Sequence, residues 1–148
     1  MGSVEAVAAA SGGEWEFYRD ERGIPVVKLE IHNGGDTPHE RAMVLAEVGD
    51  LLRAAVRGDL KPYLDIAHIV RNPLIYELRW KLGDEYTPTK LWRLYFGWHS
   101  NRGPLRIALK FGSKPHGEVG LIVQNGHIDE ASARYKLWLK RPQPGSIT

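Results

Sequence analysis

Leu74-Ile75-Tyr76-Glu77-Leu78-Arg79-Trp80, Leu91-Trp92-Arg93-Leu94-Tyr95-Phe96 and Leu105-Arg106-Ile107-Ala108-Leu109-Lys110-Phe111-Gly112-Ser113-Lys114 decide the fold. Each run is short, rich in aromatic and branched residues, and bounded by Gly, Pro, Asn or Asp, which predicts consecutive antiparallel strands. Arg79, Arg93, Arg106 and Lys110 lie inside these runs. An unpaired cation within a strand is expensive. Cations repeated along neighbouring strands form a positive stripe across a sheet face, which suits a polyanion such as RNA. Strand alternation places Arg79 on the face of Glu77, and Lys110 on the face of Arg106 and Ala108.

Outward from these strands, Glu14-Trp15-Glu16-Phe17-Tyr18 alternates aromatic and acidic residues, a strand pattern. After the Asp20–Gly23 turn, Val27, Leu29 and Ile31 alternate with polar residues, which predicts the second strand of a hairpin, opening at Pro25. Thr37-Pro38-His39-Glu40 is a helix start with a capping residue, Pro in the first turn and a capping-box Glu. Apolar residues at helical spacing carry that helix to Gly58, with Gly49 allowing two shorter helices instead. Leu64 to Ile69 reads as one more helical turn. Val119 to Val123 is apolar and β-branched, an additional strand, and Asn125-Gly126 a turn. Ile128 to Lys140 closes the chain as a helix, with acids in its first turn and a base in its last.

The expected architecture is α+β: a small twisted antiparallel sheet of about four to five strands with helices packed on one face. Residues 1–13 are expected to be a disordered leader, 14–141 a single domain and 142–148 a loose tail. At 148 residues the chain suffices for an ordinary core. A net charge of +2 confines any nucleic-acid footprint to a local patch, and the lack of cysteine excludes disulfides, thiolate metal sites and thiol nucleophiles. No apolar run approaches the roughly 18 residues of a membrane span. No metal-ligand spacing, phosphate-loop pattern or triad context is present, so neither a cofactor nor a metal is expected.

Tyr76-Glu77-Leu78-Arg79 resembles the "L-[WY]-E-L-R" strand of phage-derived RelE/HigB-type toxins. Trp92-Arg93-Leu94-Tyr95-Phe96 is similar to their following "YR-apolar-apolar-YF" strand, and Leu109 to Lys114 to their "hGFxKK" segment. Ile128 to Trp138, with Ala131 and Arg134, resembles the closing "eIexAxxR" helix, and Glu14 to Ile31 the opening segment. The resemblance spans roughly residues 15–139. The family has a helix where Val26 to Ile31 reads as strand, Ser113 replaces one of the paired lysines, and residues 115–124 look like an insertion. The resemblance implies an RNase-like toxin fold, cleavage of mRNA in the ribosomal A site, a cytoplasmic setting and neutralisation by a cognate antitoxin.

Such cleavage uses attack of the ribose 2′-hydroxyl on the adjacent phosphate, without a metal. The enzyme must position the strand, neutralise charge building on phosphorus and move two protons. Arg93 and Arg79 are the candidates for the charge, because arginine is always ionised and binds phosphate bidentately. His99 and Glu77 are candidates for proton transfer, with His116 and His127 as further loop histidines. Lys110, Lys114, Arg102, Arg106, His116 and Tyr135 are the candidates for contacting RNA. Arg79, Arg93, Lys110 and Lys114 are expected to share one concave surface. The alternative is a non-catalytic module of the same fold that binds RNA or a protein partner; a structural protein is a third reading.

Overall fold

The computed structural model describes residues 3–82, 90–99, 104–115 and 117–142. Its elements run α1 (Val4–Ala9), β1 (Glu14–Phe17), α2 (Val26–His32), α3 (Pro38–Arg57), β2 (Ile66–His68), β3 (Ile75–Leu82), β4 (Lys90–His99), β5 (Leu105–Lys114) and α4 (Glu118–Leu139). The strands form one mixed sheet in the order β1-β5-β4-β3-β2. The three long strands are antiparallel neighbours, as expected: Tyr76 faces Phe96 and Trp80 faces Trp92 across β3–β4. β1 joins in parallel, with Trp15 opposite Arg106.

Helices cover both sides of this α+β sheet rather than one. Gly97 lets the Tyr135 ring of α4 lie directly on β4, since a Cβ there would stand 2.6 Å from the ring. Gly112 does the same for His127. α4 therefore packs on the face of Arg93, Tyr95 and Gly97. The next residue along β4, Trp98, points the other way. Its ring lies under the Arg106 guanidinium, which donates to the Ala55 carbonyl of α3. Trp15 Nε1 also donates to α3, at Leu52.

The strongest local signals hold. Thr37 Oγ1 accepts from the Glu40 amide, Pro38 opens α3, and Gly58 ends it at a φ of 74°. Gly49 does not break the helix. Elsewhere burial overrides the local pattern. Residues 4–9 form a helix, not a disordered leader: Ser3 caps it, and Val4, Val7 and Ala8 enter the core. Val26–His32 is a helix, not a strand, because Val27 and Ile31, four apart, are the residues buried while Leu29 is exposed. Residues 66–68 form an edge strand instead of a helical turn. Residues 119–126 are the first turns of α4, neither strand nor turn. There Gly120 is buried against the Pro115 carbonyl, and Leu121 and Ile122 face outward.

Side chains complete the edge of β5 beyond β1. The Glu30 carboxylate of α2 accepts from the Phe111 amide, and Arg134 of α4 donates to the Leu109 carbonyl. These two bonds blunt the edge of β5 at Leu109 and Phe111 as a template for another strand.

Candidate functional site

The β4–β5 register shifts between Tyr95 and Phe96. Lys110 pairs with Tyr95 and Arg106 with Trp98, so the irregularity puts these two cations on opposite faces, not on one as plain alternation requires. Arg106 is fully buried and donates to the carbonyls of Gly12, Ala10 and Ala55. It ties the N-terminal segment to α3 and is not part of a track for RNA.

Arg79, Arg93, Lys110 and Lys114 do share a face, the one that α4 crosses. Arg79 stands directly opposite Arg93, Gly112 opposite Arg93, Lys110 opposite Tyr95, and Lys114 opposite Leu91. On that face they fall into two groups. Lys110 lies 3.1 Å from Glu30 and 2.9 Å from Glu130, and Arg134 lies 3.0 Å and 2.9 Å from the same carboxylates. Two cations and two carboxylates balance there.

The other group surrounds Glu77, which is 4% exposed. Arg79 Nη2 and Arg93 Nε each lie 3.4 Å from its carboxylate oxygens. Gln124 Nε2 donates to the same carboxylate at 3.1 Å, while its Oε1 accepts a hydrogen bond from Lys114. Among the described residues, three cations thus stand around one carboxylate. Like charges directly across a strand pair are destabilising, so the Arg79–Arg93 pair is a cost the fold carries at this spot. Burial pushes the Glu77 pKa up against the pull of Arg93, Arg79 and Lys114. Burial lowers Arg93 despite Glu77, and lowers Lys114, with Arg93 adding to the effect. Desolvation outweighs attraction on both sides of the Glu77–Arg93 pair, while Arg93 remains a guanidinium cation.

A cleft of about 700 Å³ opens beside this group, lined by Tyr63, Leu64, Asp65, Arg79, Trp80, Lys81, Leu91 and Arg93. It lies along β3 past the end of β2, where the Arg79 amide donates to the Asp65 carbonyl at 3.0 Å. Arg79 Nη1 donates to the Tyr63 carbonyl at 3.1 Å. Tyr63 holds a φ of 66°, a left-handed conformation costing about 1–2 kcal/mol in a residue with a side chain. The carboxylate in the cleft wall, Asp65, accepts from the Lys61 amide of its own loop.

The remaining candidates lie elsewhere. His99 ends β4 against Trp138, six residues and so about 20 Å along the strand from Arg93. Tyr135 is buried over Gly97, with its hydroxyl 3.4 Å from the Trp98 carbonyl. His127 lies within α4, not on a loop, and burial, reinforced by Lys110, lowers its pKa. Arg102 and His116 fall outside the described residues. Sequence reasoning missed Tyr63 and Gln124. Nothing local marks Tyr63. Gln124 was findable once residues 118–139 are drawn as one helix, because Gly120, Gln124, Ile128, Ala131, Tyr135 and Trp138 then form a single stripe.

Among the described residues, no group of three or more His, Asp or Glu side chains is arranged to hold a metal ion, and no helix is long and apolar enough to cross a membrane. No family model matches this chain, and no curated protein or solved structure does.

Proposed function

We propose that the chain is an mRNA-cleaving toxin of the RelE/HigB type, acting with the ribosome in a bacterial cytoplasm and restrained by a cognate antitoxin. The observation that carries this reading is the Arg79–Arg93 pair, set face to face across two strands with Lys114 beside it and an open cleft alongside. A phosphodiester entering the cleft supplies the anion this group lacks. Arg93 and Arg79 neutralise the charge that grows on the pentacoordinate phosphorus, and Lys114 holds a neighbouring phosphate. Glu77 accepts the 2′-hydroxyl proton as the 2′-oxygen bonds phosphorus, and the P–O5′ bond breaks with the 5′-oxygen taking a proton from water. The Glu77 pKa is already raised by burial, and an arriving phosphate competes for its guanidinium partners and raises it further. The helix at Val26–His32 adds support, because it stands where the toxin resemblance has a helix.

The reading in which the fold binds RNA without cutting it draws on one observation. Lys110 is held between two carboxylates, and Ser113 stands where the family segment has the first of its paired lysines. The test is incubation of the purified chain with translating ribosomes and a defined mRNA, followed by mapping of the fragment ends. Fragments ending in 2′,3′-cyclic phosphate, and their loss in Arg93→Gln, are expected. Intact mRNA under conditions where the protein binds it overturns the cleavage reading and leaves the binding module.

A further inference from the structure

The cleft wall contains a residue that neither the sequence nor the proposed chemistry uses. Tyr63 is 62% exposed, yet it is held at three points. Its amide donates to the Ile66 carbonyl at 2.7 Å, its carbonyl accepts from Arg79, and its hydroxyl donates to Glu5 at 2.7 Å. An exposed aromatic ring is usually free to turn; this one is fixed at both ends. The same guanidinium that binds the Tyr63 carbonyl belongs to the cationic pair, so ring and charge are set relative to each other. Among the described residues, Arg79 Nε and Trp80 Nε1 in the same wall are buried and have no hydrogen-bond acceptor. A pre-set ring beside a cation matches one nucleotide unit, a flat base attached to a phosphate.

Resting on the reading that this cleft receives RNA, we propose that Tyr63 is the platform on which a base of the single-stranded substrate stacks, beside the phosphate held by Arg79 and Arg93. Tyr63 is then a specificity and positioning residue: it places the strand, and it takes no part in bond making. Aromatic stacking tolerates any base, so the platform selects unpaired strand over duplex rather than one sequence over another. The left-handed turn at Tyr63 aims its carbonyl at Arg79, and the bond to Glu5 makes α1 a brace for the ring.

The test uses the full chain and a single-stranded 2′-O-methyl RNA oligomer, which lacks the nucleophile for cleavage, so binding is read by itself. An abasic oligomer of the same length and backbone is the second probe. Tyr63→Gly removes the ring while keeping a residue that adopts positive φ without strain, so the turn survives. Tyr63→Phe keeps the ring and removes the bond to Glu5. The wild-type chain is expected to bind the base-bearing strand more tightly than the abasic one. Tyr63→Gly is expected to weaken the base-bearing strand at least about fivefold, to leave the abasic strand unchanged, and to be rescued largely by Tyr63→Phe. Equal weakening of both strands, or none, overturns the platform even if mRNA is cut normally. A base-dependent loss in a protein that cuts nothing overturns the nuclease reading and keeps the platform.

Discussion

Two clusters of charge share one face of the sheet, built from the same residue types a few residues apart. Around Glu30 and Glu130, Lys110 and Arg134 are matched one for one, and the carboxylate of Glu30 also closes the edge of β5. Around Glu77, Arg79, Arg93 and Lys114 outnumber the carboxylates of the described residues, and the two arginines line a cleft. A lysine or arginine in a strand is therefore no marker of function by itself. What separates the clusters is the supply of carboxylates from other parts of the chain. α2 and α4 bring two to Lys110, while over Arg93 α4 brings a glutamine.

The largest effect that sharpens this contrast lies in catalysis. Arg93→Gln is expected to slow mRNA cleavage roughly 100- to 1,000-fold, the range for losing one preorganised donor to a developing oxyanion. Rates are to be measured beside a thermal melt. Because Arg93 is 8% exposed and contacts Glu77, its loss also costs stability, unlike that of a surface cation. An unchanged rate in the folded variant removes Arg93 from the site. On the balanced side, Glu30→Ala is expected to destabilise the fold by about 2–3 kcal/mol. It strips Lys110 and Arg134 of a shared carboxylate and leaves the Phe111 amide without its acceptor. Denaturant unfolding reads this, and a change below about 0.5 kcal/mol contradicts a structural role.

Titration gives a third way to separate the clusters. The Glu77 pKa lies above the ordinary carboxylate value of 4.5. The native state then holds the Glu77 proton more tightly than the unfolded chain does, so its contribution to stability falls as pH rises through the window above that value. Glu77→Gln abolishes that dependence. Relative to wild type, the variant is expected to gain stability from acid toward neutral pH in urea melts. It also loses the acid limb of the cleavage profile if Glu77 is the base. Parallel stability curves for the two proteins across that window contradict the placement of a perturbed carboxylate at the sheet centre.

These contrasts were legible in the sequence only in part. The three strands were, because period and bounding turns agree over residues 74–80, 91–96 and 105–114, although β4 runs on to His99, which the sequence places in a loop. So was α3, whose cap, proline and terminal glycine all point the same way. Val26–His32 and residues 119–126 were not, because their β-branched alternation is a strand signal that helical burial of Val27, Ile31 and Gly120 overrides. At the site, the shared face of Arg79, Arg93, Lys110 and Lys114 was expected, but it is set by the register between strands, which alternation within each strand does not give. The separation of Arg106 from Lys110 was not legible, because a single register shift between Tyr95 and Phe96 reverses the faces. Nor could the sequence tell which lysine is neutralised, since Glu30 and Glu130 reach Lys110 from 80 residues before it and 20 after.

The smallest expected effect bears most directly on the difference between the clusters. Binding of the uncleavable single-stranded oligomer is measured as a function of salt for wild type, Lys114→Ala and Lys110→Ala. A cation that meets a phosphate releases a counterion, so its removal lowers the slope of log affinity against log salt by about 0.7 for a single strand. Lys114→Ala is expected to show that loss and Lys110→Ala to keep the wild-type slope. The reverse result, or the same loss from both variants, contradicts the assignment of the RNA site to the Glu77 cluster.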